Sequence, residues 1–200
     1  MELFEKFVYV NENSLSIEIC NEIINLFEND DTKRPGETMR GIFKHVKDTS
    51  DLDIYNNEPK WSKINNLLIN ELQYNCTKYV ENCYEFFRNK SIDYRPLSFN
   101  HLDIIALQIQ KYIKKEGKYI YHHDGSIDYK NQSKRVLTYL WYLNTVNEGG
   151  ETEILGNIKI KPVAGKLLLF PACWTFPHSG LTPISNDKYI LTGWLYSNDD

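Results

Sequence analysis

The chain changes its hydrophobic rhythm once, near residue 95. Upstream, apolar positions recur at three- and four-residue steps, the period of an amphipathic helix. Ser16 stands where a helix cap belongs, ahead of "IEICNEIINLFEN", whose stripe reads Ile17, Cys20, Ile24 and Phe27. A longer helical pattern begins after Pro59, with Trp61, Ile64, Leu68, Leu72, Cys76, Tyr79, Cys83 and Phe86 on one face. Between these helices, residues 29–58 are polar and broken by Pro35-Gly36, with room for one or two short strands. A connection of that length is usually functional or mobile.

Downstream the period shortens to two. The segments "DIIALQIQKY", "KYIYHH", "RVLTYLWYLN", "ETEIL", "IKIKPV", "GKLLLFPA", "WTFPHSG" and "KYILTGWLYS" are alternating or apolar, rich in Ile, Leu, Tyr and Trp, and separated by turn residues. Short strands in this number fit a double-sheet jelly roll or a barrel, with the helices packed outside one sheet. The fold class is mainly β with supporting α-helices. The expected organisation is one domain over 1–200, with 1–95 a helical support region and loop and 96–200 the β core.

Composition narrows the function classes. The formal net charge of −4 lacks the basic field of a nucleic-acid binder. The lysine-rich "KYIKKEGK" at 111–118 reads as a solvated turn between strands. The N-terminal "MELFEKFVYV" carries acidic residues where a leader would be basic, and no stretch reaches a transmembrane length. The expected location is therefore cytoplasmic, without a membrane partner. Cys20, Cys76, Cys83 and Cys173 form no CxxC pair and read as reduced thiols. Oligomeric state is not legible.

The chemistry concentrates in "YIYHHDG", residues 119–125, where a strand-like pattern runs into two histidines and an aspartate. His122 and Asp124 leave a strand end on one side, which turns His123 away. A distal His178 stands in "FPHSG". Two imidazoles and one carboxylate are the donor set that holds ferrous iron on one face and leaves positions open on the other. His101-x-Asp103 repeats the tripeptide, so neither copy identifies a metal site alone. Lys188 and Trp194 follow in "KYILTGW", and Tyr112 precedes in "LQIQKY". A strand-borne lysine beside such a site can pair with a carboxylate as a point charge.

The collinear set "QIQKY…GKYIYHHD", "LTYLWYLN…EGGETEI", "PVAGKLLLFPA" and "PHSGLTPISNDKYILTGWLY" resembles the Fe(II)/2-oxoglutarate dioxygenase superfamily, in its prolyl-4-hydroxylase-like branch, over about residues 105–197. The resemblance implies a double-stranded β-helix, the cupin-like jelly roll, with the N-terminal helices as its support. It implies Fe(II) on His122, Asp124 and His178, and the C5 carboxylate of 2-oxoglutarate on Lys188, shared with Tyr112. Thr138, Leu140 and Tyr142 would face the cosubstrate, Thr152 and Trp194 would line the same pocket, and Gly149-Gly150 would form a tight turn. His101 would be a loop or helix-end histidine, while His45 stays open, and Cys173 and Trp174 read as packing.

The implied reaction consumes O2, decarboxylates 2-oxoglutarate to succinate and CO2, and hydroxylates a C–H bond, with ascorbate as reductant. The branch default is a prolyl residue in a peptide or protein. A free amino acid or other small molecule, a non-catalytic cupin-like metal-binding domain and a zinc hydrolase are the alternatives. Retention of Asp124 favours hydroxylation over halogenation, which uses a small residue there. Residues 29–58 and 125–134 are expected to border the mouth of the pocket, with Arg40, Lys44 and Tyr129 as candidate substrate contacts.

Overall fold

The computed structural model describes residues 2–54, 58–94, 102–104, 107–128 and 133–198. His101 and Tyr129 lie outside them.

Helix α2 spans Ile17–Glu28, and the Ser16 hydroxyl accepts from the Ile19 amide at its N-terminus. Its buried stripe is Cys20, Ile23 and Phe27. Ile17 is exposed instead, because the packed line runs one position off the expected one. Helix α3, Ser62–Arg88, continues a 3-10 turn at Pro59–Trp61 and buries the expected line from Ile64 to Cys83, while Phe86 is half-buried. Helix α1, Glu2–Glu5, is a single turn.

Two antiparallel sheets form the rest. The larger runs in the order β1 (Tyr9–Asn11), β12 (Leu167–Pro171), β9 (Ser133–Tyr142), β14 (Lys188–Asn198), β6 (Leu107–Tyr112), β4 (Ser50–Ile54) and β2 (Arg34–Pro35). β5 (Leu102–Ile104) adds to β14, and β8 (Ile127–Asp128) to β9. The smaller sheet is β11 (Ile158–Ile160), β10 (Thr152–Ile154), β13 (His178–Gly180), β7 (Lys118–His122) and β3 (Lys47–Asp48). This is the double-sheet jelly roll. β1 to β4 enter both sheets from the N-terminal part, so sheet and helical regions do not separate at residue 95.

Alternation along the larger sheet builds two cores. Leu107, Ile109, Leu137, Tyr139, Trp141, Leu167, Leu169, Leu191 and Leu195 face α2 and α3 in the first core. Their neighbours Tyr112, Leu140, Tyr142, Leu168, Phe170 and Ile190 face the smaller sheet in the second. Burial on both faces explains why β9 and β12 read as nearly continuous apolar runs. The helices thus support the sheet from behind and leave its inner face for chemistry. Among the described residues, no helix is long and apolar enough to cross a membrane.

Gly149 and Gly150 turn the chain toward β10 with φ of +71° and +76°, in the region that disfavours side chains. A Cβ on Gly149 would sit 2.5 Å from the Thr182 carbonyl oxygen. Gly149→Ala should therefore lower stability by about 1–3 kcal/mol, read as a lower thermal midpoint.

Candidate active site

The site lies on the inner face of the jelly roll, where both sheets contribute alternate residues. Thr138 and Leu140 come from β9, and Lys188, Ile190, Thr192 and Trp194 from β14. Tyr112 and Gln110 come from β6, His178 and Gly180 from β13, and Thr152 from β10. Tyr119 and His122 of β7 complete the wall with Asp124 and Phe170.

His122, Asp124 and His178 place one donor atom each within 4.8 Å of one another. His122 Nε2 is 3.6 Å from Asp124 Oδ1, and His178 Nε2 is 3.4 Å from Oδ2. Each Nδ1 is turned to a backbone carbonyl, His122 to Ile120 at 2.8 Å and His178 to Phe176 at 3.1 Å. Those contacts hold the Nδ1–H tautomers and leave both Nε2 lone pairs converging beside the carboxylate, the usual support behind metal-binding imidazoles. The donor chemistry fits ferrous iron. Tyr119 stacks on the His122 ring at 3.5 Å between centroids, and Phe170 meets His178 edge-on at 4.7 Å.

Charge in this cluster is strongly coupled. Burial opposes ionisation of Asp124, but His178 outweighs it and holds the carboxyl well below the usual range. The Trp194 indole N–H lies close enough to add to that effect, though its geometry closes no full hydrogen bond. Asp124 in turn raises His178 against the effect of burial. Burial and the neighbouring His178 lower His122 to about 4.

Thr138, expected to face the cosubstrate, lines the cavity, and its hydroxyl donates to Asp124 Oδ2 at 2.8 Å. Thr138→Val should leave the carboxylate free to rotate and weaken Fe(II) or Mn(II) binding by roughly 10–100-fold, measured by metal titration.

Lys188 is one of the largest fully buried side chains. Its ammonium donates to the Gly150 carbonyl at 3.0 Å, lies 3.5 Å from the Leu181 carbonyl, and stands 3.9 Å from the centroid of the Tyr112 ring. No carboxylate forms an ion pair with it among the described residues, and burial lowers it to about 7. Tyr142 does not line the cavity. Its hydroxyl donates to Thr152 Oγ1 at 2.7 Å, so it supports the wall from behind.

Other expectations are redistributed. His123 is exposed and lines an adjoining cavity of about 300 Å³ beside Asp124. Arg34, Glu37, Thr38 and Met39 line that cavity too, which brings the 29–58 segment to the mouth; Gly125 brings the other segment. Arg40 is exposed and does not line it, and Lys44 lies 3.9 Å from Asp48 in a separate hollow. His45 is exposed against Phe43. Trp174, expected as packing, is 75% exposed, whereas Cys173 is half-buried. Cys20, Cys76 and Cys83 are buried free thiols.

Sequence reasoning missed Tyr119, Gln110 and Arg135. Tyr119 and His122 share a face despite being three apart, because the β7–β13 register shifts between them. Gln110 was legible as the alternate neighbour of Tyr112. Arg135 stacks on Trp194 with its guanidinium carbon 3.5 Å from the ring centroid.

A jelly roll with two imidazoles and a carboxylate gathered on its inner face offers the donor set that suits non-haem iron. Residues 107–196 match the family model described as the 2OG-Fe(II) oxygenase superfamily. No curated protein sequence matches the chain. Solved structures share the fold at low identity. A Trichoplax adhaerens prolyl hydroxylase in complex with a hypoxia inducible factor peptide fragment has a TM-score of 0.70 at 20% identity, covering 98% of this chain and 86% of that one. A viral collagen prolyl hydroxylase from Paramecium Bursaria Chlorella virus-1, in its 2OG complex, has a TM-score of 0.64 at 19% identity and 96% coverage of both chains. A Pseudomonas putida prolyl-4-hydroxylase has a TM-score of 0.64 at 15% identity, covering 94% and 91%. The chain thus shares the fold of these prolyl hydroxylases and carries, over residues 107–196, a stretch similar to the 2OG-Fe(II) oxygenase superfamily.

Proposed function

We propose that the enzyme hydroxylates a C–H bond of a prolyl residue in a peptide or protein. His122, Asp124 and His178 hold Fe(II) in this reading, and Lys188 with Tyr112 takes the C5 carboxylate of 2-oxoglutarate. Iron and 2-oxoglutarate, when bound, supply oxygen activation coupled to decarboxylation to succinate and CO2. The chain's own residues position and shield. Thr138 orients Asp124, Thr152 and its supporter Tyr142 form one wall, and Leu140, Phe170 and Ile190 exclude water. Trp194 borders both the pocket and the adjoining cavity. Ascorbate as reductant and a cytoplasmic location belong to the same proposal.

The observation that carries it is Lys188. A buried ammonium without an anionic partner is costly, and a dicarboxylate in the same cavity would relieve that cost. A non-catalytic metal-binding domain or a zinc hydrolase has no use for it. The peptide bound to the Trichoplax adhaerens relative supports a peptide substrate. A free amino acid is the second reading, favoured by Arg135. It lines the adjoining cavity and forms no carboxylate ion pair among the described residues, so it could receive an α-carboxylate.

The test is succinate formation by Fe(II)-loaded protein with ascorbate, followed by mass spectrometry of proline-containing peptides, matched proline-free peptides and free amino acids. Gain of one oxygen only on prolyl peptides supports the first reading, and gain on free amino acids the second. No turnover of 2-oxoglutarate under any condition overturns both.

A further inference from the structure

A chain of side-chain hydrogen bonds crosses the inner face of the larger sheet, from the segment at the mouth to the cosubstrate pocket. Arg34 pairs with Asp53. Gln108 Nε2 donates to Asp53 Oδ1 at 2.7 Å, and Gln110 Nε2 donates to Gln108 Oε1 at 2.6 Å. The Tyr112 hydroxyl then donates to Gln110 Oε1 at 3.0 Å. The spacing follows from register: Gln108, Gln110 and Tyr112 are alternate residues of β6, and Asp53 lies opposite Gln108 on β4. Asp51, opposite Gln110, is already occupied by Lys47 at 2.6 Å and Thr49 at 2.7 Å.

The direction of this chain is set at one end. An ionised carboxylate only accepts, so Gln108 must present its amide N–H to Asp53 and its carbonyl to Gln110. Gln110 must then present its N–H to Gln108 and its carbonyl to Tyr112. The Tyr112 hydroxyl is left as the donor. Tyr112 and Gln110 are both at most 4% exposed, so water does not substitute readily for either partner. The proton that would serve a cosubstrate carboxylate is thus already committed elsewhere.

We propose that Gln110, oriented through Gln108 by Asp53, competes with 2-oxoglutarate for the Tyr112 hydroxyl proton and thereby sets cosubstrate affinity. The hydroxyl turns from Gln110 to the C5 carboxylate as the cosubstrate enters, and the lost amide contact is subtracted from the binding strength. Asp53 and Arg34 are positioning residues acting through this line, which connects the segment at the mouth to a pocket that neither side chain touches. The inference rests on Tyr112 sharing the carboxylate with Lys188.

The experiment is calorimetric titration of 2-oxoglutarate into Mn(II)-loaded protein without O2, with thermal midpoints recorded for each variant. Tyr112→Phe should weaken binding by roughly tenfold or more, the effect of losing a hydrogen bond to a charged group. Gln110→Met, close in shape but without an acceptor, should tighten binding roughly two- to tenfold. Asp53→Asn removes the acceptor-only anchor and should tighten binding in the same direction by less. Both gains should vanish when combined with Tyr112→Phe. Unchanged or weaker binding in Gln110→Met and Asp53→Asn, with Tyr112→Phe still impaired, overturns the relay and leaves the cosubstrate reading standing. No effect of Tyr112→Phe removes Tyr112 from the carboxylate, and the relay's role falls with it.

Discussion

Alanine in place of His122 or His178 is expected to abolish Fe(II)-dependent conversion of 2-oxoglutarate to succinate. Each change removes one of three donors from a set whose atoms lie within 4.8 Å of one another. Losing only a residue behind a ligand typically costs 10–100-fold in metal affinity or activity, so loss of a ligand should exceed about 100-fold. The fold should persist, because the first core, between the larger sheet and helices α2 and α3, contains none of the triad, and circular dichroism with metal titration separates lost binding from unfolding. His45→Ala is the control inside the described structure, since its ring is exposed beside Phe43. His101→Ala is the control for the duplicate His-x-Asp. Iron binding that survives His122→Ala but not His101→Ala would reassign the pair.

The second large effect is expected at Lys188. Lys188→Met should weaken 2-oxoglutarate binding by about 2–5 kcal/mol, the usual consequence of truncating one partner of a buried charge pair. The same change should stabilise the protein without cosubstrate at pH 6, because it removes a buried ammonium that no carboxylate pairs with among the described residues. Lys188→Arg should not restore binding. The planar guanidinium needs more room than an ammonium, and a Cβ on Gly150 would already touch the Lys188 stem at 3.5 Å.

The pH dependence follows in sign. The folded protein lowers Lys188 from 10.5 to about 7. Between those values the unfolded chain binds the extra proton, so the penalty of burying Lys188 is full below about pH 7 and fades as pH rises toward 10.5. A dicarboxylate requires the charged form. Its apparent affinity should therefore fall above about pH 7, approaching roughly tenfold per unit. Calorimetry from pH 6 to 9 on wild type and Lys188→Met reads this directly, since the methionine protein should lack that component. A wild-type affinity flat across the range would contradict the assignment.

Much of the fold and part of the candidate site are legible in one dimension. The stripe from Trp61 to Cys83 is the buried face of α3, because a helix of that length has one consistent way to cover a sheet. Alternation places Lys188, Ile190, Thr192 and Trp194 together on the inner face of β14, and all four line the cavity. His122-x-Asp124 and His178 are likewise local signals plus one distant partner. These features depend on the period of an element, which the order of residues determines by itself.

Tertiary structure decided what period cannot express. Alternation says which face a residue occupies, but not what stands across from it. Thr138 proved to hold Asp124, and Tyr142 to sit behind Thr152, only once β9 met the end of β7 and β10. The register shift beside His122 brought Tyr119 onto the imidazole, against the two-residue rule. The polar segment at 29–58 supplied Arg34, Thr38 and Met39 to the mouth, and Asp53 to the line ending at Tyr112. Each of these is a contact between strands distant in sequence. Its identity depends on pairing register, and register is set by the burial of whole faces rather than by any short stretch of the chain.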